Sequence, residues 1–275
     1  MYIIDTQAIT GISTACFYPM LLEDAFDIIC GKLKYKVCEL FLNTQSETEI
    51  KFLRGIKTKA DGNGVKISAV HPYFSGYEGF LFFSEYDKRR VFDSIDLFKP
   101  FFEAAQFLGS EYVIFHGIGP GEMKVPVEEY NERLLLIASE AKKYNCEILH
   151  ENLGRVNEYI QDLKNIKFTL DFKHAVHWGC DVLDIIEKMG SNLAHIHLND
   201  MVADYYSLEA SKKVRNCRLP FEGGLDYKKI FDKLYDINYI GGFIIEVYRH
   251  NYKNLKEISD SIEKLRDFLK IYENI

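Results

Sequence analysis

Eight times along this 275-residue chain, a short and almost wholly apolar run is followed by a polar or glycine-containing loop and then by a longer segment with helical spacing. The clearest runs are Val37 to Leu42, Val65 to Val70, Tyr112 to Phe115, Glu147 to Leu149, Phe168 to Leu170, Leu193 to Leu198 and Phe243 to Val247, with a first one around Ile9 to Ser13. Continuous rather than alternating hydrophobicity is what parallel strands covered on both faces require. Between them, Val91, Ile95, Phe98, Phe102, Ala105 and Leu108 recur at steps of three or four, as do Leu255, Ile258, Ile262, Leu265 and Phe268, so both stretches read as amphipathic helices. Strand and helix in strict alternation imply a parallel sheet, and about 34 residues per unit is the usual allotment of a (β/α)8 barrel. A doubly wound open sheet is the competing architecture, but its GxGxxG turn is missing after the first run, where the chain reads CFYPM.

No Pro/Gly/Ser-rich linker or low-complexity tract interrupts the pattern, and the prolines lie mostly at the ends of periodic segments, so residues 1–275 are expected to form a single domain. A chain of this length buries roughly 70–75% of its unfolded surface and needs neither metal nor disulfide to stay folded. Any metal therefore serves chemistry. Cys16, Cys30, Cys38, Cys146, Cys180 and Cys217 form no CxxC pair and are expected to be reduced core thiols. Thirty-four Lys and Arg against 41 Asp and Glu leave a net charge of −7, which supplies no global attraction to nucleic acid or anionic lipid. With no basic leader and no long apolar window, a cytoplasmic location and no membrane partner are expected.

The second to eighth runs also contribute one polar residue each: Glu39 in VCELF, His71 in AVHPYF, His116 in VIFHG, Glu151 in LHENL, Asp171 in TLDFKH, His197 in IHLND and Glu246 in IIEVY. Alternate residues of a barrel strand point inward, so Ile114 with His116, Leu149 with Glu151, Thr169 with Asp171, His195 with His197 and Ile244 with Glu246 can face the interior together. The polar member is nearer the C-terminal end, where barrel enzymes build their sites. Gathering several carboxylates there costs several kcal/mol per buried charge unless a cation compensates them. Glu151, Asp171, His197 and Glu246 make a mainly hard donor set suited to Mn2+ first, with Mg2+, Co2+, Fe2+ or Zn2+ as substitutes. Such an ion leaves open positions for a hydroxy-ketone, polarises its carbonyl and acidifies the neighbouring C–H. Glu151 and Glu246, on the fifth and eighth strands, lie across the ring from one another and can serve as an acid/base pair.

The motifs HENLGR, LDFKHAVHWG, AHIHLND, FEGGLDY and IIEVY resemble those of the xylose isomerase-like TIM barrels over nearly the whole chain, a superfamily that includes D-tagatose 3-epimerase, inosose dehydratase and endonuclease IV. The resemblance implies the same four metal ligands, with Glu151 and Glu246 catalytic, and His174 and Arg218 contacting substrate. It also implies that His71 and His116 hold either a second metal or the substrate. Endonuclease IV carries an Asp-x-His pair before FEGG for a third zinc, whereas here Arg215 and Cys217 fall at those positions.

The expected function is a divalent-metal-dependent sugar isomerase or epimerase that works through an enediolate, with a small sugar or hydroxy-carbonyl compound as partner. A dehydratase on the same scaffold is the nearest competitor. The incomplete third site argues against a metallo-phosphodiesterase and a nucleic-acid partner, and a non-catalytic sensor keeping the same pocket is a third. Self-association into a homo-oligomer is left open. His150, His177, His195 and His250 read as structural, and Glu39 stays outside the metal set. Gly117, Gly119 and Gly121 read as turn residues before they read as a phosphate nest. Tyr73, Phe74, Tyr77 and Trp178 are candidate walls of a sugar pocket.

Overall fold

A computed structural model of the chain describes residues 9–74, 76–84, 88–119, 124–202 and 216–273. Seven strands, β1 (Thr10–Ser13), β2 (Val37–Phe41), β3 (Lys66–His71), β4 (Tyr112–Phe115), β5 (Glu147–Glu151), β6 (Lys167–Asp171) and β7 (Leu193–Leu198), are followed by a short pair, β8 (Asp200–Met201) and β9 (Cys217–Arg218), and by β10 (Gly242–Ile245). All but β8 and β9 join in one closed barrel in the order β1-β10-β7-β6-β5-β4-β3-β2, every pairing parallel. The (β/α)8 architecture read from the alternation is the one the chain adopts. Two of the apolar runs coincide with their strands, β4 and β7. β5 and β6 extend further, carrying Glu151 and Asp171 within the ladder, whereas Glu246 lies just beyond β10 and is held by its N–H donating to the Leu198 carbonyl at 3.1 Å.

Two packing layers explain why the runs are apolar on both faces. Inside the barrel, Ala69, Ile114 and Leu149 are fully buried against one another. Outside, the strands meet helices whose stripes are those read from the sequence. In the helix Lys88–Leu108, Val91, Ile95, Phe98, Phe102, Ala105 and Leu108 are all buried. Pro100 lies within this helix, an exception to the expectation that prolines sit at segment ends. Its neighbours Phe98, Phe101 and Phe102 are fully buried, so the aromatic face compensates for the lost helical hydrogen bond. Cys16, Cys30, Cys38, Cys146 and Cys217 are buried, as expected of core thiols, whereas Cys180 is half-buried. No helix among the described residues is long and apolar enough to cross a membrane.

The turn after β4 depends on one glycine. Gly117 has φ +68°, and a Cβ there would come within 2.6 Å of His150 Nε2 and against Tyr130 Oη. These two side chains are hydrogen-bonded to each other at 2.7 Å, and Tyr130 also accepts from Ile118 N, so neither can easily give way. Gly117→Ala is expected to cost about 3 kcal/mol, combining left-handed strain with overpacking. A drop in the urea midpoint at unchanged slope checks this.

Candidate metal centre and active site

The pleat that buries Ala69, Ile114 and Leu149 places His71, His116 and Glu151 two residues further along the same inner face, at the C-terminal rim. β6, β7 and β10 bring Asp171, His197 and Glu246 to the same level. One ligand atom from each of Glu151, Asp171, His197 and Glu246 lies within 4.8 Å of the others, and all four side chains are buried. His197 Nδ1 is the common neighbour, 2.8 Å from Glu151 Oε1, 3.4 Å from Glu246 Oε2 and 3.9 Å from Asp171 Oδ2. A second group shares Glu151: His116 Nε2 is 2.9 Å from its Oε2, and His71 completes a triad within the same 4.8 Å. His71 Nε2 is 3.9 Å from Glu246 Oε1, and its buried Nδ1 has no hydrogen-bond partner among the described residues.

Glu39, which the sequence reading kept outside the metal set, and Glu78, Asn152, Asn199 and Asp200, which it did not single out, hold this arrangement. Glu39 is fully buried beneath the site, its Oε2 2.9 Å from His197 Nε2 and 3.1 Å from His195 Nε2. That contact leaves Nδ1 as the nitrogen facing the carboxylates, the way a carboxylate behind a ligating imidazole sets its orientation. Glu78 accepts from the backbone N–H groups of His116 and Gly117 at 2.6 and 2.7 Å and faces His116 Nδ1 at 3.2 Å. Asn152 brackets the backbone of Asp171 with bonds of 2.7 and 3.1 Å, and Asn199 donates to Asp171 Oδ1 at 2.9 Å and to the Glu246 carbonyl at 3.2 Å. The FEGG segment is tied to the same region by Asp200, which accepts from Gly223 N and Leu225 N at 2.9 and 3.1 Å.

Burial pushes every carboxylate here up and every imidazole down, and the neighbours decide which groups escape that trend. For Glu151 the imidazoles of His116 and His197 outweigh burial and hold its carboxyl well below the usual range. Lys173 and His197 do the same for Glu246, held at about 2. Asp171 is raised to about 6, because burial, with Glu151 and Glu246 adding to it, outweighs Lys173. Against its burial, His116 is lifted to about 10 by Glu151 and Glu78, and His197 is raised by Glu39, Glu246 and Glu151. Burial, then a neighbouring cation, lowers His71 to about 4 and His174 to about 3, which keeps both rings neutral.

The centre opens into a cavity of about 240 Å³ lined by Tyr18, Phe41, His71, His116, Glu151, Lys173, His174, Glu246 and Tyr248, among others. That volume is somewhat below the usual range for ligand pockets and admits only a small molecule. His174 faces it, with Nε2 3.8 Å from Asp171 Oδ2. Arg218 is not among the described residues lining it; its Nη1 donates to the Cys217 carbonyl at 2.9 Å. The aromatic wall is Tyr18, Phe41 and Tyr248 rather than Tyr73, Phe74, Tyr77 and Trp178. Phe74 packs instead against Phe98 and Phe101, and Trp178 donates to Glu158 at 3.1 Å. Arg215 and Gly121 lie outside the described residues. Cys217, which falls at the position of the histidine of the third-zinc pair, is buried in β9, and burial pushes its thiol up to about 12, which keeps the sulfur neutral. Lys173 was missed entirely: it reads as a spacer in DFKH, and it lies in the helix Phe172–His177 that begins directly after Asp171, so no strand period points to it.

Three buried carboxylates and an imidazole within 4.8 Å of one another fit a hard divalent ion. A (β/α)8 barrel with such a set of side chains at its C-terminal rim offers a candidate metal site, and comparison with known proteins narrows its class. Residues 28–268 match the model of the xylose isomerase-like TIM barrel family, and the chain belongs to that family. It is similar to the inosose dehydratase of Geobacillus kaustophilus (strain HTA426), 22% identical over 219 residues that cover 65% of this chain and 71% of that protein. Among solved structures it is similar to a D-tagatose 3-epimerase-like protein, with a TM-score of 0.75 and 20% identity over 96% of this chain and 97% of that one. It is also similar to the D-psicose 3-epimerase of Clostridium cellulolyticum H10 solved with D-tagatose, with a TM-score of 0.72 and 16% identity over 96% of this chain and 98% of that one.

Proposed function

We propose that this protein is a divalent-metal-dependent isomerase or epimerase that moves a proton at the carbon beside the carbonyl of a small polyhydroxy ketone. The observation that carries this reading is that Glu151, at the end of β5, and Glu246, just past β10, approach His197 Nδ1 to 2.8 and 3.4 Å at the inner end of a small cavity. Glu151, Asp171, His197 and Glu246 are the residues that would hold the ion, with Mn2+ the best-suited metal. When bound, the ion polarises the substrate carbonyl and acidifies its neighbouring C–H.

The remaining work falls to the chain. One glutamate, ionised in its surroundings, takes the proton from one face of the substrate. For epimerisation the other first takes up a proton from solvent and delivers it on the opposite face, and for isomerisation the first returns its proton at the adjacent carbon. His71, His116 and His174 contact the substrate's hydroxyl groups, the first and last as neutral rings that donate from one nitrogen and accept at the other. Tyr18, Phe41 and Tyr248 exclude water from the reacting carbon. Arg218 is kept as a substrate contact for ligands that reach past the cavity. The reading is of a single-domain cytoplasmic enzyme with a free small molecule as its partner.

A second reading, loss of a β-hydroxyl from the same enediolate to give dehydration, is supported by the similarity to inosose dehydratase. Both begin with the same proton abstraction, so one experiment tests the shared step and separates the outcomes. Protein supplied with Mn2+ is incubated in D2O with D-tagatose, D-psicose and an inosose. Deuterium at the carbon beside the carbonyl is expected, with an epimer or isomer for the first reading and an unsaturated, ultraviolet-absorbing product for the second. If no substrate exchanges that proton, the function is not this one.

A further inference from the structure

Lys173 stands where a bound ion would need room. It is only 4% exposed, and its ammonium is 2.9 Å from Glu246 Oε2 and in direct contact with Asp171 Oδ2. These are two of the four carboxylate and imidazole donors that converge on the centre. The backbone N–H of Lys173 is fixed by Asp171 Oδ1 and Asn199 Oδ1, both at 2.8 Å, so its stem is anchored at the base of the pocket. Its head lines the cavity, 5.8 Å from the Tyr248 ring, with space to move into.

Buried carboxylates that face one another without a cation destabilise a fold. An ammonium on a flexible four-carbon stem is a mobile way to relieve that, since its head can leave while its backbone stays fixed. A divalent ion and the ammonium cannot both use the same oxygens, because their repulsion at contact distance in a poorly screened pocket outweighs what either gains.

We propose that Lys173 is a resident counter-ion that occupies the metal pocket in the ion-free protein and is displaced into the cavity when a divalent ion binds. This rests on the metal-centre reading and goes beyond it. The ion-free state is kept folded by the ammonium, the ion binds more weakly than its donor set alone would allow, and the displaced head becomes a cationic donor beside Tyr248 for a substrate oxygen.

The test uses the whole protein and reads binding rather than turnover. In ion-free wild type labelled with 15N at lysine Nζ, one ammonium resonance is expected to be protected from exchange and to vanish in Lys173→Met. Titration with Mg2+ should move or broaden that resonance. By calorimetry, Lys173→Met should bind Mn2+ about 10- to 100-fold more tightly than wild type. An ammonium signal unchanged at saturating Mg2+, or equal or weaker Mn2+ binding by the variant, overturns the inference while leaving the metal centre standing. Absence of ion binding by both proteins overturns the metal centre and the inference with it. Should the variant fold only with ion present, the wild-type resonance alone decides.

Discussion

Glu246→Gln is expected to lower the rate of proton exchange by about 10²- to 10⁴-fold, the span removed with a positioned general base. Glutamine keeps the size of the side chain and one oxygen for the ion, but it cannot accept a proton at neutral pH. Glu151→Gln should cost at least as much, because Glu151 is the carboxylate shared by the His197 and His116 contacts, and its loss disturbs both groups at once. Ion content has to be measured beside the rate, since each residue is both a donor and a base. A variant that retains its ion and loses exchange has lost the base, whereas one that loses both has lost the site. Fold is not expected to suffer in Glu246→Gln, because Lys173 keeps its contact with Asp171. Wild-type exchange in an ion-loaded Glu246→Gln protein would remove that residue from the mechanism.

Chelation is expected to abolish exchange and to lower the melting temperature, both restored by adding Mn2+ back. An ion present at 1,000 times its dissociation constant stabilises the native state by about 4 kcal/mol. For a chain of this size that is roughly 8–16 °C between ion-saturated and chelated protein. The chelated protein should still unfold cooperatively, because Lys173, His197 and His116 already offset the charge of Glu246, Asp171 and Glu151. Differential scanning calorimetry with and without chelator makes the measurement. Identical melting and full activity in both states would show that no divalent ion belongs to this centre.

The barrel was legible because its evidence is local and repeated. A run such as Leu193 to Leu198 needs only its own composition to mark a strand buried on two faces, and a stripe such as Val91 to Leu108 needs only its own period. The convergence of Glu151, Asp171, His197 and Glu246 was legible for a related reason: once the strands lie side by side in parallel, residues at matching strand ends must meet at one rim. What stayed hidden depends on rotamers and on partners remote in the chain. Glu39 lies 158 positions from His197 and belongs to a different strand, so its place behind that imidazole could not be read from spacing. Tyr73 and Phe74 are as aromatic as Phe41 and Tyr248, yet Phe74 packs into the helix layer, and loop geometry decided which rings reached the cavity.

The amino-acid order alone therefore determined the closed parallel barrel and the rim at which Glu151, Asp171, His197 and Glu246 gather, since both follow from periodicity and strand polarity. Only the folded molecule decided that His197 turns Nδ1 to the carboxylates, that Lys173 reaches back between Asp171 and Glu246, and that Arg218 turns to a neighbouring carbonyl. Those choices are made by side-chain torsions competing for partners across the barrel, an energy that no single stretch of sequence contains.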